Sequence, residues 1–279
     1  MSGAKTAFSG QVALIATMHG KDTVLAPPLQ RLGFTVETAD GFDTDRFGSF
    51  AGEVERQGDM LDAARAKARA AFSHSGERAD WVIASEGAFG PSRIAPMLAE
   101  AKELALAWRP ADDLEILTRQ VSFTTNFGHL DVAPGADIEG FLTRIGFPDH
   151  ALILRSGAAV LAKAVTDRAA LDRRVSGAEA PVRLETDMRA HLNPTRMGEI
   201  ARLAENLAAR LAAPCPECGA PGFGRTGVET GLPCGGCGAP TDLVAKEIWS
   251  CGACGCSERR ARGDGRAVAD QSECPLCNP

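Results

Sequence analysis

Short apolar runs separated by helical stretches organise most of this chain. Val12 to Ala16 (VALIA) is wholly apolar, the pattern of a strand covered on both faces. It gives way to Thr17-Met18-His19-Gly20-Lys21-Asp22. Thr23 to Leu32 then reads as a helix interrupted early by Pro27-Pro28, and the alternating Phe34 to Thr38 as a second strand. Met60, Leu61, Ala64, Ala68 and Phe72 recur at helical spacing in the Ala-rich stretch Gly52 to Phe72, which predicts a helix. Trp81 to Ala84, Leu104 to Trp108, Leu114 to Thr118, Ala151 to Arg155 and Val182 to Thr186 read as strands, and Val121 to Thr125 as a more ambiguous one. Ile138 to Ile145, Ala159 to Arg174 and Pro194 to Ala212 read as helices, the last with Asn193 as N-cap and Pro194 in the first turn.

Strands alternating with helices imply a layered α/β domain over residues 8–212. The strand-after-strand stretch near 104–125 makes the sheet mixed rather than purely parallel. Pro214 ends the last helix, and composition turns at once to Cys, Gly and Pro, which places a second module at 213–279.

All nine cysteines fall in that second module. Eight form Cys-x-x-Cys pairs: Cys215/Cys218, Cys234/Cys237, Cys251/Cys254 and Cys274/Cys277. A Cys-x-x-Cys turn presents two thiolates to one ion, and zinc takes four ligands in a tetrahedron, so the pattern predicts two zinc ions in a double ribbon. Pairing first with second and third with fourth closes the shorter loops and is the favoured order; an interleaved order is the other arrangement. Cys256 is the odd thiol, either free or a substitute for Cys254.

Charge narrows the partners. The chain carries a net −6, and Cys215 to Pro279 holds six Lys/Arg against eight Asp/Glu. Such a surface does not draw phosphate backbones, so nucleic acid is not the expected partner. The run Arg259, Arg260, Arg262 and Arg266 reads as a solvated hairpin face, and the ribbon as structural or as a dock for a protein partner. No apolar run is long enough for a membrane span, and Met1 to Gly10 lacks the apolar segment of a secretory signal, so a cytoplasmic location is expected.

In the front domain, the Thr17–Lys21 loop follows a strand and precedes a helix, a setting where backbone N–H groups and a lysine suit a phosphate. Ser85-Glu86-Gly87 places a carboxylate beside glycine at the end of an apolar run, a site geometry of α/β folds. Glu185-Thr186-Asp187-Met188-Arg189-Ala190-His191 leads through Asn193 to Arg196 and is the densest polar cluster. In extended chain Glu185 and Asp187 share a face, and paired carboxylates suit Mg²⁺. Arg189 and Arg196 suit a phosphate clamp, and His191 an acid or base.

The order of these motifs resembles the inosine/xanthosine triphosphate pyrophosphatase fold. Thr17 and Lys21 match its Thr-Gly-Asn…Lys loop, with His19 in place of Asn. Ala64, Lys67 and Ala68 match its Asn-Ala-x-x-Lys-Ala helix, and Glu86-Gly87 its acidic turn. The whole chain also resembles an uncharacterised bacterial domain family that shares Ser85 to Pro91, Glu185 to His191, Asn193 to Met197 and the terminal Cys277-Asn278-Pro279. Together these imply a metal-dependent hydrolase of a nucleotide or related phosphate compound. Glu86, Glu185, Asp187 and His191 would be catalytic, and Thr17, Lys21, Lys67, Arg189 and Arg196 would hold phosphate. The other expectation is a non-catalytic protein that binds a small anion and docks a partner through its ribbon.

Overall fold

Val12–Ala16 forms β1, paired at both edges by strands and packed by two helices, which accounts for its unbroken apolar run. The computed structural model describes residues 7–48, 56–178 and 181–279. After β1 come α1 (Asp22–Arg31), which carries Pro27 and Pro28 within it, and β2 (Thr35–Thr38). Then follow α2 (Met60–His74), β3 (Trp81–Pro91), β4 (Ala99–Arg109) and β5 (Leu114–Ser122).

These five strands make one mixed sheet in the order β2-β1-β3-β4-β5. Strands β2 and β3 pair parallel to β1, while β4 and β5 continue the sheet antiparallel. The chain therefore leaves β1 toward one side and returns through α2 to the other. With right-handed crossovers, α1 and α2 fall on opposite faces. Alternation agrees: Leu14, Ala16, Val82 and Ala84 pack with Ala64, Ala68 and Ala71 of α2, which turns Ala13, Ile15 and Ile83 to the other face.

A second, wholly antiparallel sheet is built from β6 (His129–Val132), β7 (Leu152–Ser156), β8 (Ala159–Val165) and β9 (Val182–Thr186), in the order β6-β9-β7-β8. Helices α3 (Glu139–Ile145) and α4 (Arg168–Ser176) cover it, with Phe141, Leu142, Leu171 and Val175 buried against Leu152, Leu154 and Leu184. Helix α5 (Pro194–Leu211) follows. Asn193 caps it as its sequence suggests, its Oδ1 accepting the Arg196 N–H at 3.0 Å.

Five sequence expectations change. Ala159 to Val165 is a strand, not the first half of a helix: Gly157, at φ 56°, turns the chain so that β8 pairs with β7, and pairing overrides the helical preference of its alanines. Val121 and Ser122 are the end of β5 rather than a separate strand. Ser85 to Pro91, expected to follow a strand that ends at Ala84, continues β3 because it pairs with β4, and His129 to Val132, given no element by its sequence, pairs with β9. The helix expected from Gly52 begins, among the described residues, at Met60, because Asp59 and Asp62 form a capping box there; residues 52–55 of that expectation lie outside the described residues.

The chain separates into two compact units, Met1–Ala208 and Ala209–Pro279. The last turn of α5 belongs to the second, where Arg210 donates to the carbonyls of Gly222 and Arg225 at 2.6 and 2.8 Å. That unit is a three-stranded meander, β10 (Gly224–Thr230), β11 (Val244–Ser250) and β12 (Ser257–Ala261). Among the described residues, no helix is long and apolar enough to cross a membrane.

Candidate functional site

The ribbon gathers its thiols into two sets: Cys215, Cys218, Cys251 and Cys254, and Cys234, Cys237, Cys274 and Cys277. Pairing is therefore interleaved, which corrects the sequential order favoured from loop length. Strand register gives the reason. Gly224 at the start of β10 faces Ser250 at the end of β11, so the first knuckle lies beside the third. Strand β12 runs back along β11, and an isolated bridge joins Cys234 to Ala269, so the fourth knuckle returns to the second. Loop-closure cost grows only with the logarithm of length, and strand pairing outweighs it.

Both sets fit zinc. A tetrahedron with metal–sulfur bonds of about 2.3 Å has sulfur–sulfur edges of about 3.8 Å. The Sγ pairs Cys215–Cys254, Cys218–Cys251 and Cys237–Cys274 stand at 3.7 Å, and Cys234–Cys277 at 3.8 Å. A disulfide would bring them to about 2.05 Å. Backbone N–H groups of Gly236 and Ala253 point at Cys234 and Cys251 Sγ, stabilising thiolate. Cys256 belongs to neither set and packs against the cluster of Cys215, Phe223 and Cys251 instead.

In the front unit, the place of interest follows from strand order. Helices α1 and α2 lie on opposite faces, so a crevice opens past the carboxyl end of β1, where β3 runs on without that neighbour, the place where open α/β sheets bind ligands. The β1–β3 pairing ends at Ala16 and Ala84. The Thr17–Lys21 loop and Ser85-Glu86 follow immediately, and both approach the segment between β9 and α5.

Alternation along β3 sorts the charges. Glu86 faces the α2 side, where Lys67 Nζ stands 2.5 Å from its Oε1 and Arg56 3.3 Å from its Oε2. Arg56 also donates to the Gly87 carbonyl at 2.7 Å, and among the described residues its buried Nε has no partner. On the other face, Lys21 Nζ donates to Ser85 Oγ at 3.1 Å, and Arg196 holds Glu103 at 2.7 Å and the Met188 carbonyl. Lys21, Lys67, Glu86, Glu103 and Arg196 are all buried. Burial first, then the charges of Arg196 and Lys67, brings the Lys21 amine down to about 7. At the rim His19 lies 2.8 Å from Asp45, holding that carboxyl below its usual range, and His191 stacks on His19 with ring centroids 5.1 Å apart.

Lys21, Lys67, Glu86, His191 and Arg196 thus meet in one region, as do Thr17, whose Oγ1 accepts the His19 N–H, and the buried Ser85. The expected oxygen site for Mg²⁺ gains no support. Glu86 is closed by Lys67 and Arg56, and Glu185 by Arg155 at 2.8 Å. Asp187 is fully buried and accepts from the Arg189 guanidinium and from the backbone N–H groups of Arg189 and Ala164. Among the described residues, the cysteine sets are the only groups of three or more Cys, His, Asp or Glu arranged to hold a metal ion. Sequence reasoning passed over Glu103, which sits directly before the apolar run Leu104 to Trp108. It also passed over Arg56 and Asp45, which carry no local signal.

Beside the crevice lies a cavity of about 460 Å³, lined by Arg56, Gly87, Phe89, Phe127, His129 and Glu185. Small-molecule sites run from about 300 to 1,000 Å³. Gly87 is required here: a Cβ on it would sit 2.5 Å from Arg196 and 2.8 Å from Glu103. Both are locked in a buried bridge, so Gly87→Ala is expected to cost about 1–3 kcal/mol of stability in urea unfolding. Unchanged stability would show that the bridge yields freely.

Comparison with curated proteins and with solved structures finds no match. The family profile that does match spans the cysteine sets, Glu86, Glu103 and Arg196, and starts just past Lys67. Over residues 69–279 the chain matches, and so belongs to, the family described as Domain of unknown function (DUF6671).

Proposed function

We propose that the front unit binds a small phosphate-bearing molecule in the crevice past the end of β1, beside β3, and that the ribbon holds two structural zinc ions. One observation carries the first part: among the described residues, Arg56 and Lys67 share one carboxylate, Glu86, and the buried Arg56 Nε has no partner. Buried cations in excess of their partners favour an anion, which would complete the balance. Arg56 lines the cavity and shares Glu86 with the buried Lys67, so these two are assigned the phosphate contact; the Arg196–Glu103 bridge stands on the other face of β3.

Binding is favoured over Mg²⁺-dependent hydrolysis because each carboxylate that the hydrolytic reading needs is occupied by a cation. The ribbon reads as a support or a protein dock rather than a nucleic-acid binder. Arg225, Arg259, Arg260, Arg262 and Arg266 are each bridged to a carboxylate, which leaves little charge for phosphates. Eight thiolates persist as ligands in a reducing compartment, consistent with a cytoplasmic place.

Titration of the intact protein with inorganic phosphate and pyrophosphate, followed by calorimetry, tests the assignment. The wild type should bind, and Arg56→Gln should bind at least tenfold more weakly with its fold intact. Lys67→Met should lose binding and also about 3–5 kcal/mol of stability, because it strips a partner from a buried carboxylate. Equal affinity in Arg56→Gln and wild type rejects the site. Turnover of nucleoside triphosphates that requires Mg²⁺ and disappears in Asp187→Asn would restore the hydrolytic reading.

A further inference from the structure

The cavity beside Arg56 lies between the two sheets of the front unit. Gly87 and Phe89 of β3 line one side, and His129 of β6 with Arg183 and Glu185 of β9 the other. Its two arginines differ. Arg183 is paired to Asp131 through two bonds, at 2.7 and 2.8 Å. Arg56 shares Glu86 with Lys67, and among the described residues its buried Nε has no partner. A phosphate therefore belongs at the Arg56 end. It fills little of the space: the cavity holds about 460 Å³, and a single water takes about 30 Å³. Aromatic rings wall the rest. Phe89 and Phe127 stand nearly parallel, 22° apart with centroids at 6.2 Å, and Arg196 lies over Phe89 at 5.1 Å. The backbone beside Phe127 is pinned to β9: the Gly128 N–H donates to Thr186 Oγ1 at 3.1 Å, and the Gly128 carbonyl accepts the Thr186 N–H at 3.0 Å.

We propose that the ligand is a phosphate monoester whose other end is a flat, nitrogen-bearing aromatic ring, stacked on Phe127 between the two sheets. The proposal rests on the phosphate reading of the crevice and names the rest of the molecule. A flat ring covers the aromatic wall, and a wall fixed in advance loses little freedom when it is covered. An alkyl or sugar phosphate would leave that apolar surface facing water. Glu185 sets the polar edge. It stands opposite His129 across the β6–β9 pair and accepts from Arg155 at its Oε2, 2.8 Å away. A carboxylate there accepts N–H or amino donors from the ring and repels a second anion. The ligand is then anionic at its Arg56 end only.

Calorimetry on the intact protein compares adenosine 5′-monophosphate with inorganic phosphate and with ribose 5-phosphate, which keeps the phosphate and sugar and lacks the ring. Adenosine 5′-monophosphate should bind about tenfold more tightly than ribose 5-phosphate, the gain expected of one stacked ring. Phe127→Leu should remove that preference, and Phe127→Tyr, which keeps a ring face, should retain it. In both variants affinity for inorganic phosphate should stay within about twofold of wild type, because the phosphate contact is a separate one. Equal affinity for the two esters, in protein that binds inorganic phosphate, overturns the ring and leaves the phosphate reading standing. A preference that survives Phe127→Leu also overturns it, since the ring then lies elsewhere. Failure of all three compounds to bind overturns both readings.

Discussion

Replacing Cys218 together with Cys254 by serine should halve the zinc content, whereas replacing Cys218 together with Cys237 should abolish it. Cys218 and Cys254 belong to one set, and Cys218 and Cys237 to different sets. Sequential pairing gives the opposite result: Cys218 and Cys237 would share an ion, and their loss would spare the other. Elemental analysis of purified, reduced protein reads the difference directly. The effect on folding is expected to be large. Structural zinc contributes apparent binding energies of about 10–16 kcal/mol in small modules, and this unit has little else to fold around. Its buried apolar cluster is Phe223 with the cysteines Cys215 and Cys251, Trp249 packing at the edge. The thiols also oppose one another without a cation: Cys277, hydrogen-bonded by Cys237 and Cys234, is pushed up to about 12, while Cys234 is drawn down to about 7 by the backbone N–H groups of Cys237 and Gly236. A divalent ion removes that conflict and lets all four ionise. Chelation should therefore open residues 209–279 to protease while the front unit stays resistant. Cys256→Ser should keep both ions. Two ions retained in the Cys218/Cys237 double variant would refute both pairings.

The ribbon was legible because metal geometry imposes fixed spacing, and spacing survives in one dimension. Which knuckle meets which did not survive, because it depends on β11 sitting between β10 and β12, and strand register is a property of the folded meander. The front unit shows the same division. The apolar run of β1 and the helical period of α2 declared themselves, since each reports its own burial. Ala159 to Val165 did not, because alanine favours helix until Gly157 turns the strand onto a partner five residues earlier in the chain. In the crevice, Lys21, Glu86 and Arg196 were visible through local polarity beside apolar runs. Their partners Arg56 and Glu103 were not, because an ion pair between residues far apart in sequence leaves no local trace. Glu185 and Asp187 looked like a metal pair for the converse reason: extended-chain alternation puts them on one face, but Asp187 lies past the end of β9 and turns to Arg189.

Between pH 7 and 10 the wild-type protein should gain stability relative to Lys21→Met, with a difference slope approaching 1.4 kcal/mol per pH unit. The sign follows from the amine. Lys21 stands at about 7 in the fold and at the ordinary 10.5 once unfolded. Within that window the folded chain holds it neutral and the unfolded chain protonates it, so unfolding takes up a proton and becomes harder as pH rises. Below 7 both states are protonated and the full cost of burying an ammonium is present; above 10.5 neither is, and the cost is gone. The groups that set this are Arg196 on α5, Lys67 on α2, Glu103 on β4, and Glu86 and Ser85 on β3. Methionine fills a similar volume without a charge, so Lys21→Met should match or exceed the wild type at pH 7 and show no such slope. Urea unfolding across the window measures both, and zinc-dependent terms cancel in the difference. Parallel curves for the two proteins would mean that Lys21 keeps its proton in the fold, and that the crevice holds its cations fully charged even without a ligand. Bound phosphate should shift the wild-type curve most at the acid end, because an anion beside Lys21 restores the ammonium; a shift of equal size at pH 7 and pH 10 would place the anion away from Lys21.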